Sequence, residues 1–214
     1  MNAAPSPIRP RLLVFAKAPV AGHAKTRLIP ALGAEGAAAL ARAMLDHTLA
    51  QALASQAGEV ELCMSPARGD AAWNGWRLPA GIAPTDQGNG DLGARMARAV
   101  QRVTTGQQQP VLLFGTDCPA LDAAAIRAAA DALQQHDAVL VPVADGGYVL
   151  IGLKHPSPEL FSDMAWSTST VAAETRRRLD RLGRSTWIGP TLCDIDEATD
   201  LVHLPTSLTA LPRP

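Results

Sequence analysis

Apolar residues in this chain gather in short unbroken runs separated by longer stretches of helical periodicity. Leu12 to Ala16, Val111 to Gly115 and Ala138 to Val143 carry no charged residue, as expected of strands buried on both faces of a parallel sheet. Val60 to Met64, Tyr148 to Leu153 and Trp187 to Ile188 read as further strands. Ala34 to Ser55 places Leu40, Met44, Thr48, Leu49, Ala52 and Leu53 on a helical stripe. Asp91 is the expected N-cap of a helix through Val103, with Leu92, Met96, Ala99, Val100 and Val103 facing inward and Arg95, Arg98 and Arg102 on another side. Asp122 caps a helix ending near Gln135, Thr170 to Leu182 is helical, and Glu197 to His203 is a candidate last helix. Residues 68–84 are irregular and hold a strand that the pattern does not locate.

Strands alternating with helices predict an α/β fold, three layers α/β/α around a mostly parallel twisted sheet. No internal repeat or linker divides the chain. The expected organisation is a disordered proline-rich arm over residues 1–10, one domain over 11–204, and a C-terminal tail over 205–214. Asp145 to Thr170 departs from strict alternation and suits a substrate-facing insertion.

Composition adds exclusions. With 214 residues, 47% of them hydrophobic, the chain can bury one sizeable core. Its net charge of −1 provides no global field for nucleic acid or an anionic membrane. No apolar stretch reaches the roughly 18 residues of a membrane span. Three cysteines without a C-x-x-C pair argue for reduced thiols rather than a disulfide framework or a zinc site, and the N-terminus lacks an apolar signal core, so a cytoplasmic protein is expected. Charge is unevenly spread: Arg9, Arg11, Lys17, Lys25 and Arg27 all precede the first acid, Glu35, while Asp194, Asp196, Glu197 and Asp200 cluster late.

The candidate chemistry lies where the strongest runs end. Lys17, Lys25 and Arg27 follow the first, Asp117 the second and Asp145 the third. Open α/β sheets bind ligands beyond the carboxyl ends of their strands, so neighbouring parallel strands would bring these groups to one edge. Lys25-Thr26 resembles the end of a P-loop, but Pro19 and Ala24 stand where that loop needs glycine, which excludes a P-loop NTPase. A looser loop turned at Gly22 still suits phosphate contacts. Gly88 to Gly93 matches G-x-G-x-x-G, yet Ala83 to Gln87 before it is poor strand material, which argues against NAD. Asp117 is a candidate ligand for a hard cation such as Mg²⁺. Asp196 is equally placed as a second carboxylate ligand or as the N-cap of the last helix. Asp145-Gly146-Gly147-Tyr148 offers a base, an acceptor ligand or a turn, and Trp166-Ser167-Thr168 a pocket wall or a hydrophobic anchor. The five histidines are scattered and receive no role.

Taken in order, K-x-P-x-x-G-x-x-K-T-R-L, Q-G-x-G-D-L-G-x-R-M, G-T-D-C-P, D-G-G-Y-x-L-I-G, W-S-T and D-I-D-E-x-x-D-L run from about Leu12 to Leu201. This set resembles a bacterial family of GT-A-fold nucleotide-diphospho-sugar transferases, some described as arsenosugar-biosynthesis glycosyltransferases. That family is similar to small nucleotidylyltransferases such as phospholactate guanylyltransferase. The resemblance implies that Lys17, Gly22, Lys25 and Arg27 hold nucleotide phosphates, with Gln87, Gly88, Asp91, Leu92, Gly93 and Arg95 beside the nucleoside. It implies Mg²⁺ or Mn²⁺ at Asp117 and Asp196, and an acceptor side shaped by Asp145, Gly146, Gly147, Tyr148, Trp166, Ser167 and Thr168. Lys25, Arg27 and Asp145 would be catalytic. Two departures stand out: the first loop lacks the G-x-G of sugar nucleotidylyltransferases, and the D-x-D of many GT-A enzymes is reduced to Thr116-Asp117. The expected activity is glycosyl transfer from a nucleotide-activated donor to a small acceptor. Nucleotidyl transfer is the alternative and non-catalytic nucleotide binding the third option, with no nucleic-acid partner in any of them.

Overall fold

In the computed structural model, which describes residues 9–209, the apolar runs become β1 (Arg11–Lys17), β2 (Val60–Ser65), β3 (Ile82–Asp86), β4 (Val111–Phe114), β5 (Ala138–Pro142), β6 (Tyr148–Leu153) and β7 (Thr186–Ile188). They form one sheet in the order β3-β2-β1-β4-β6-β5-β7. Between them run α1 (Ile29–Ser55), α2 (Leu92–Gln101), α3 (Ala123–Gln135) and α4 (Val171–Arg181), with a final turn α5 (Thr206–Thr209). The sheet is parallel except for β6, which is antiparallel to both β4 and β5. This corrects one expectation: β5 is not the neighbour of β4. The link from β5 to β6 is too short for a crossover, so it closes an antiparallel pair and inserts β6 between them. The carboxyl ends of β1, β4 and β5 nevertheless lie on one edge.

Residues 83–87, expected to be poor strand material, mostly belong to β3. It pairs with β2 alone, with Pro84 opposite Leu62. An edge strand tolerates the missing N–H of proline.

Alternation along the strands divides the core. Leu12, Val14, Ala16, Leu62 and Phe114 face α1 and α3, packing on Leu45, Leu49, Ile126 and Leu133. Leu13, Phe15, Cys63 and Leu113 face α2 and α4, packing on Met96, Val100 and Leu179. The result is the expected three-layer sandwich. By length and composition α1 could cross a membrane; here Leu40, Met44, Leu45 and Leu49 are buried in the protein. It starts before the expected Ala34 because a first turn precedes a kink at Gly33, where φ is 70°.

A third cluster joins the start of α1 to the C-terminal segment: Leu28, Leu40 and Met44 pack against Ile195 and Leu208. The segment expected as a tail from residue 205 thus opens with a helical turn whose Leu208 is buried. The arm expected over residues 1–10 and the end of that tail lie largely outside the described residues. Residues 198–203 form a 3₁₀ rather than an α-helix, closed by a capping box between Glu197 and Asp200. α2 gives way at Arg102–Gly106 to a wider π-helical turn.

Candidate active site

β1 delivers Lys17 to the carboxyl edge, and the loop after it turns at Gly22, where φ is 79° and nothing crowds the α-carbon. Lys17 Nζ donates to the carbonyl of His23 within the same loop. Lys25 takes a left-handed conformation (φ 47°, ψ 47°), uncommon for a residue with a side chain. Its ammonium thereby reaches three oxygens: Asp117 Oδ1 at 2.6 Å, Asp196 Oδ1 at 2.9 Å and the carbonyl of Ile195 at 2.6 Å. Burial opposes the charge on Lys25, but Asp117 and Asp196 outweigh it and hold its pKa above the ordinary lysine value. Arg27 reaches the same edge, with Nη1 4.0 Å from Asp196 and 3.6 Å from Glu197.

Asp196 is brought here by its neighbour. Ile195 is fully buried, and its N–H donates to the Asp117 carbonyl at 2.8 Å, tying the C-terminal segment to the loop after β4. The 3₁₀ segment over 198–203 is capped by Glu197 and Asp200, which leaves the Asp196 carboxylate to Lys25 and Arg27. Among the described residues no three His, Cys, Asp or Glu side chains gather as a metal cage. Asp117 and Asp196 side chains, 56% and 45% exposed, suit an ion that takes a few carboxylate ligands and completes its shell with phosphate and water. Mg²⁺ and Mn²⁺ fit that donor set.

Two hollows meet at these residues. One, of about 390 Å³, is lined by Lys17, His23, Lys25, Arg27, Thr116 and Asp117. The other, of about 630 Å³, contains Gln87, Arg95, Asp117, Asp145, Tyr148 and Trp166 in its wall. Both include Phe15, Lys17 and Asp117, so they are lobes of one cleft. Arg27 and Asp117, remote in sequence, share the smaller lobe.

The glycine-rich segment is held largely by protein contacts. Gln87 is buried and donates its amide to the carbonyls of Ala16 (3.2 Å) and Cys63 (2.9 Å), stapling β3 to β1 and β2. Arg98 crosses Gly88, donating to the carbonyls of Gln87 and Asn89 at 2.6 and 2.7 Å; a Cβ on Gly88 would stand 2.6 Å from its guanidinium. Asp91 caps α2 by accepting from Ala94 N–H. A Cβ on Gly93 would lie 2.3 Å from the Phe161 carbonyl oxygen, so that glycine serves the packing of α2 against the 158–166 loop. Leu92 and Arg95 do line the larger lobe. Arg95 is steadied by Gly90 O and Ser65 Oγ and makes no ion pair among the described residues.

On the other side of the lobe, Asp145 Oδ1 accepts from Gly147 N–H at 2.8 Å, a tight Asx turn. Gly146 (φ 91°) passes so close to Ser169 that a Cβ would sit 2.0 Å from its carbonyl oxygen. The ring of Tyr148 lines the lobe and meets Trp166 edge-on at 6.5 Å. Its hydroxyl does not face the cleft: it is buried beside Thr175, and burial raises its pKa. Trp166, Ser167 and Thr168 stand in the wall, with Thr168 Oγ1 donating to the Ala165 carbonyl. Asp145, Asp194, Asp196 and Glu197 line a further hollow beside Arg27. Burial, then the Asp145 and Asp196 charges, raise the Asp194 pKa.

Sequence reasoning assigned no role to Ile195, Arg98, Ser65 or the buried Glu61. Arg95, Arg98 and Arg102 recur at spacings of three and four, and that stripe was the available signal: each reaches back to hold the β2–β3 edge or the loop after it.

Residues 48–168, more than half of the chain, match the family described as "Uncharacterized protein conserved in bacteria (DUF2064)". No functionally curated protein matches. Among solved structures, a protein from Desulfovibrio desulfuricans G20, for which nucleotide-diphospho-sugar transferase activity has been proposed, is 29% identical. The match covers 94% of this chain and 88% of that one, with a TM-score of 0.83. Rv0371c of Mycobacterium tuberculosis H37Rv, solved with manganese, shares the fold at 16% identity (96% and 100% covered, TM-score 0.55). So does 4-diphosphocytidyl-2C-methyl-D-erythritol synthase of Anaerococcus prevotii DSM 20548, at 11% identity (96% and 97% covered, TM-score 0.56).

Proposed function

We propose that this chain, which belongs to the DUF2064 family of bacterial proteins, is a transferase that moves a glycosyl group from a nucleotide-diphospho-sugar to a small acceptor. The observation that carries the reading is the convergence of Lys25, Asp117 and Asp196 at the joint of the two lobes. The 29% identical relative adds support.

Lys17, Lys25 and Arg27 receive the diphosphate, Lys as a point charge and Arg as a fork able to grip two oxygens. Asp117 and Asp196 would hold Mg²⁺ or Mn²⁺, which supplies positive charge against the departing diphosphate. The acceptor lies against Tyr148, Trp166, Ser167 and Thr168. Asp145 is kept in place by the Gly147 N–H through one oxygen, leaving the other to take the acceptor's hydroxyl proton. The acceptor oxygen bonds to the sugar carbon, the bond from that carbon to the phosphate oxygen breaks, and nucleoside diphosphate leaves with the electron pair. Cations brought against the developing charge are the main source of rate.

Nucleotidyl transfer is the second reading, and Arg95 favours it: its guanidinium in the larger lobe has no acidic partner among the described residues and suits an acceptor phosphate. That phosphate would attack the α-phosphorus and release pyrophosphate. Incubation with Mg²⁺, an acceptor panel and either nucleotide-sugars or nucleoside triphosphates distinguishes the two. Nucleoside diphosphate release that falls by about a hundredfold or more in Asp117→Ala is expected, the scale of one lost charge-stabilising group. Pyrophosphate release selects the second reading, and neither product with any donor rejects both.

A further inference from the structure

The surroundings of the Lys25 ammonium are those of a bound cation. Three oxygens contact it, from Asp117, Asp196 and the Ile195 carbonyl, and its side chain is only 8% exposed although both carboxylates are half-exposed. The contacts join the loop after β1, the loop after β4 and the C-terminal segment, 170 residues away in sequence. Lys25 also holds a left-handed backbone, with φ at 47°. Strain of this kind persists only where surrounding structure holds it, and it gathers at functional sites.

We infer that Lys25 is the resident cation of the Asp117–Asp196 pair, and that the nucleotide-free protein does not take a divalent ion there. The ion enters as a complex with the donor's diphosphate. This rests on the transferase reading for the identity of the donor, but its first half concerns the free protein alone. Both carboxylates already spend an oxygen on the ammonium. A divalent ion between them would meet a like charge at contact distance, and no third acid, His or Cys completes a ligand set with them among the described residues. A diphosphate changes both terms. Its oxygens supply the missing ligands and its negative charge offsets the ammonium, so Lys25 can turn from the carboxylates to the phosphates as the ion arrives.

Mn²⁺ binding to the nucleotide-free full chain, followed by the electron paramagnetic resonance of free Mn²⁺, tests the inference. Lys25→Met is expected to bind Mn²⁺ about tenfold or more tighter than the parent protein, because a like charge has been removed. Lys25→Met/Asp117→Asn is expected to lose that gain. Equal or weaker Mn²⁺ binding by Lys25→Met overturns the inference. If the variant fails to fold, acetic anhydride labelling of the parent protein decides: Lys25 stays protected with Mn²⁺ alone, whereas exposure of Lys25 by Mn²⁺ alone overturns it. Neither measurement uses a transfer substrate, so its failure is separate from failure of the product-release assay.

Discussion

Glu61 gives the sharpest stability test of the fold that carries the site. It lies on β2, where alternation with Cys63 turns it toward α2, and its side chain is 3% exposed. Such a carboxylate survives burial only if paired and hydrogen-bonded. Arg102 supplies both: Nη1 donates to Oε2 at 3.2 Å and Nη2 to Oε1, while Thr85 Oγ1 donates to Oε1 at 2.7 Å. Arg102→Met keeps most of the aliphatic packing and removes the counter-charge. Breaking a buried pair from one side costs about 3–5 kcal/mol. The Thr85 bond remains and Arg102 is 39% exposed, so water can approach, and the lower end applies. About 3 kcal/mol in a domain of this size lowers Tm by roughly 6–12 °C. Glu61→Gln/Arg102→Met leaves a neutral amide with its Thr85 partner and is expected to recover at least about half of the loss. Urea and thermal unfolding of the three variants measure this. A loss under about 1 kcal/mol in Arg102→Met, or a double variant no more stable than the single one, refutes the pairing as the reason Glu61 is tolerated.

Two further outcomes are specific. Gly93→Ala drives a methyl to 2.3 Å from the Phe161 carbonyl oxygen and 3.0 Å from Trp166 Nε1. It should cost about 1–3 kcal/mol by overpacking, shift tryptophan emission and raise the acceptor KM; an unchanged emission spectrum and KM would mean that Gly93 does not position the Trp166 wall. Asp137 accepts from Ser185 N–H and Oγ, and these bonds hold its pKa below the ordinary 3.8. A depressed carboxylate pKa stabilises the fold above the unfolded value, and the benefit is lost as pH falls through the folded one. Asp137→Ala should therefore lower Tm at pH 7 but not in strong acid, and a pH-independent difference would contradict the assignment.

Most of the sheet was readable because a strand buried on both faces has no room for charge: Leu12 to Ala16 and Val111 to Phe114 are short, uncharged runs, and all of them are buried. The antiparallel return at β6 was written in the shortness of the Asp145-Gly146-Gly147 connection, since only a crossover of a dozen or so residues could have kept it parallel. β3 was hidden by Pro84, whose cost disappears at an edge, and edge position is a property of the whole sheet. For the glycines, residue type was legible but purpose was not. Gly88 and Gly93 are small because Arg98, from the helix that follows, and Phe161, from a remote loop, lie against them.

The candidate site shows the same division. Charges of the expected kind stood at the strand ends, but only tertiary packing sets which carboxylate meets which cation. Asp194-Ile195-Asp196 concentrates that problem in three residues. With Ile195 fully buried beside Leu28, Leu40 and Met44, the acids on either side of it are held at the rim of the cleft. Asp196 meets Lys25, and Asp194 faces the field of Asp145. The apolar residue between two acids is therefore what aligns them. Its 0% exposure explains why one charge pattern near the C-terminus becomes a partner for Lys25 rather than a solvated acidic patch.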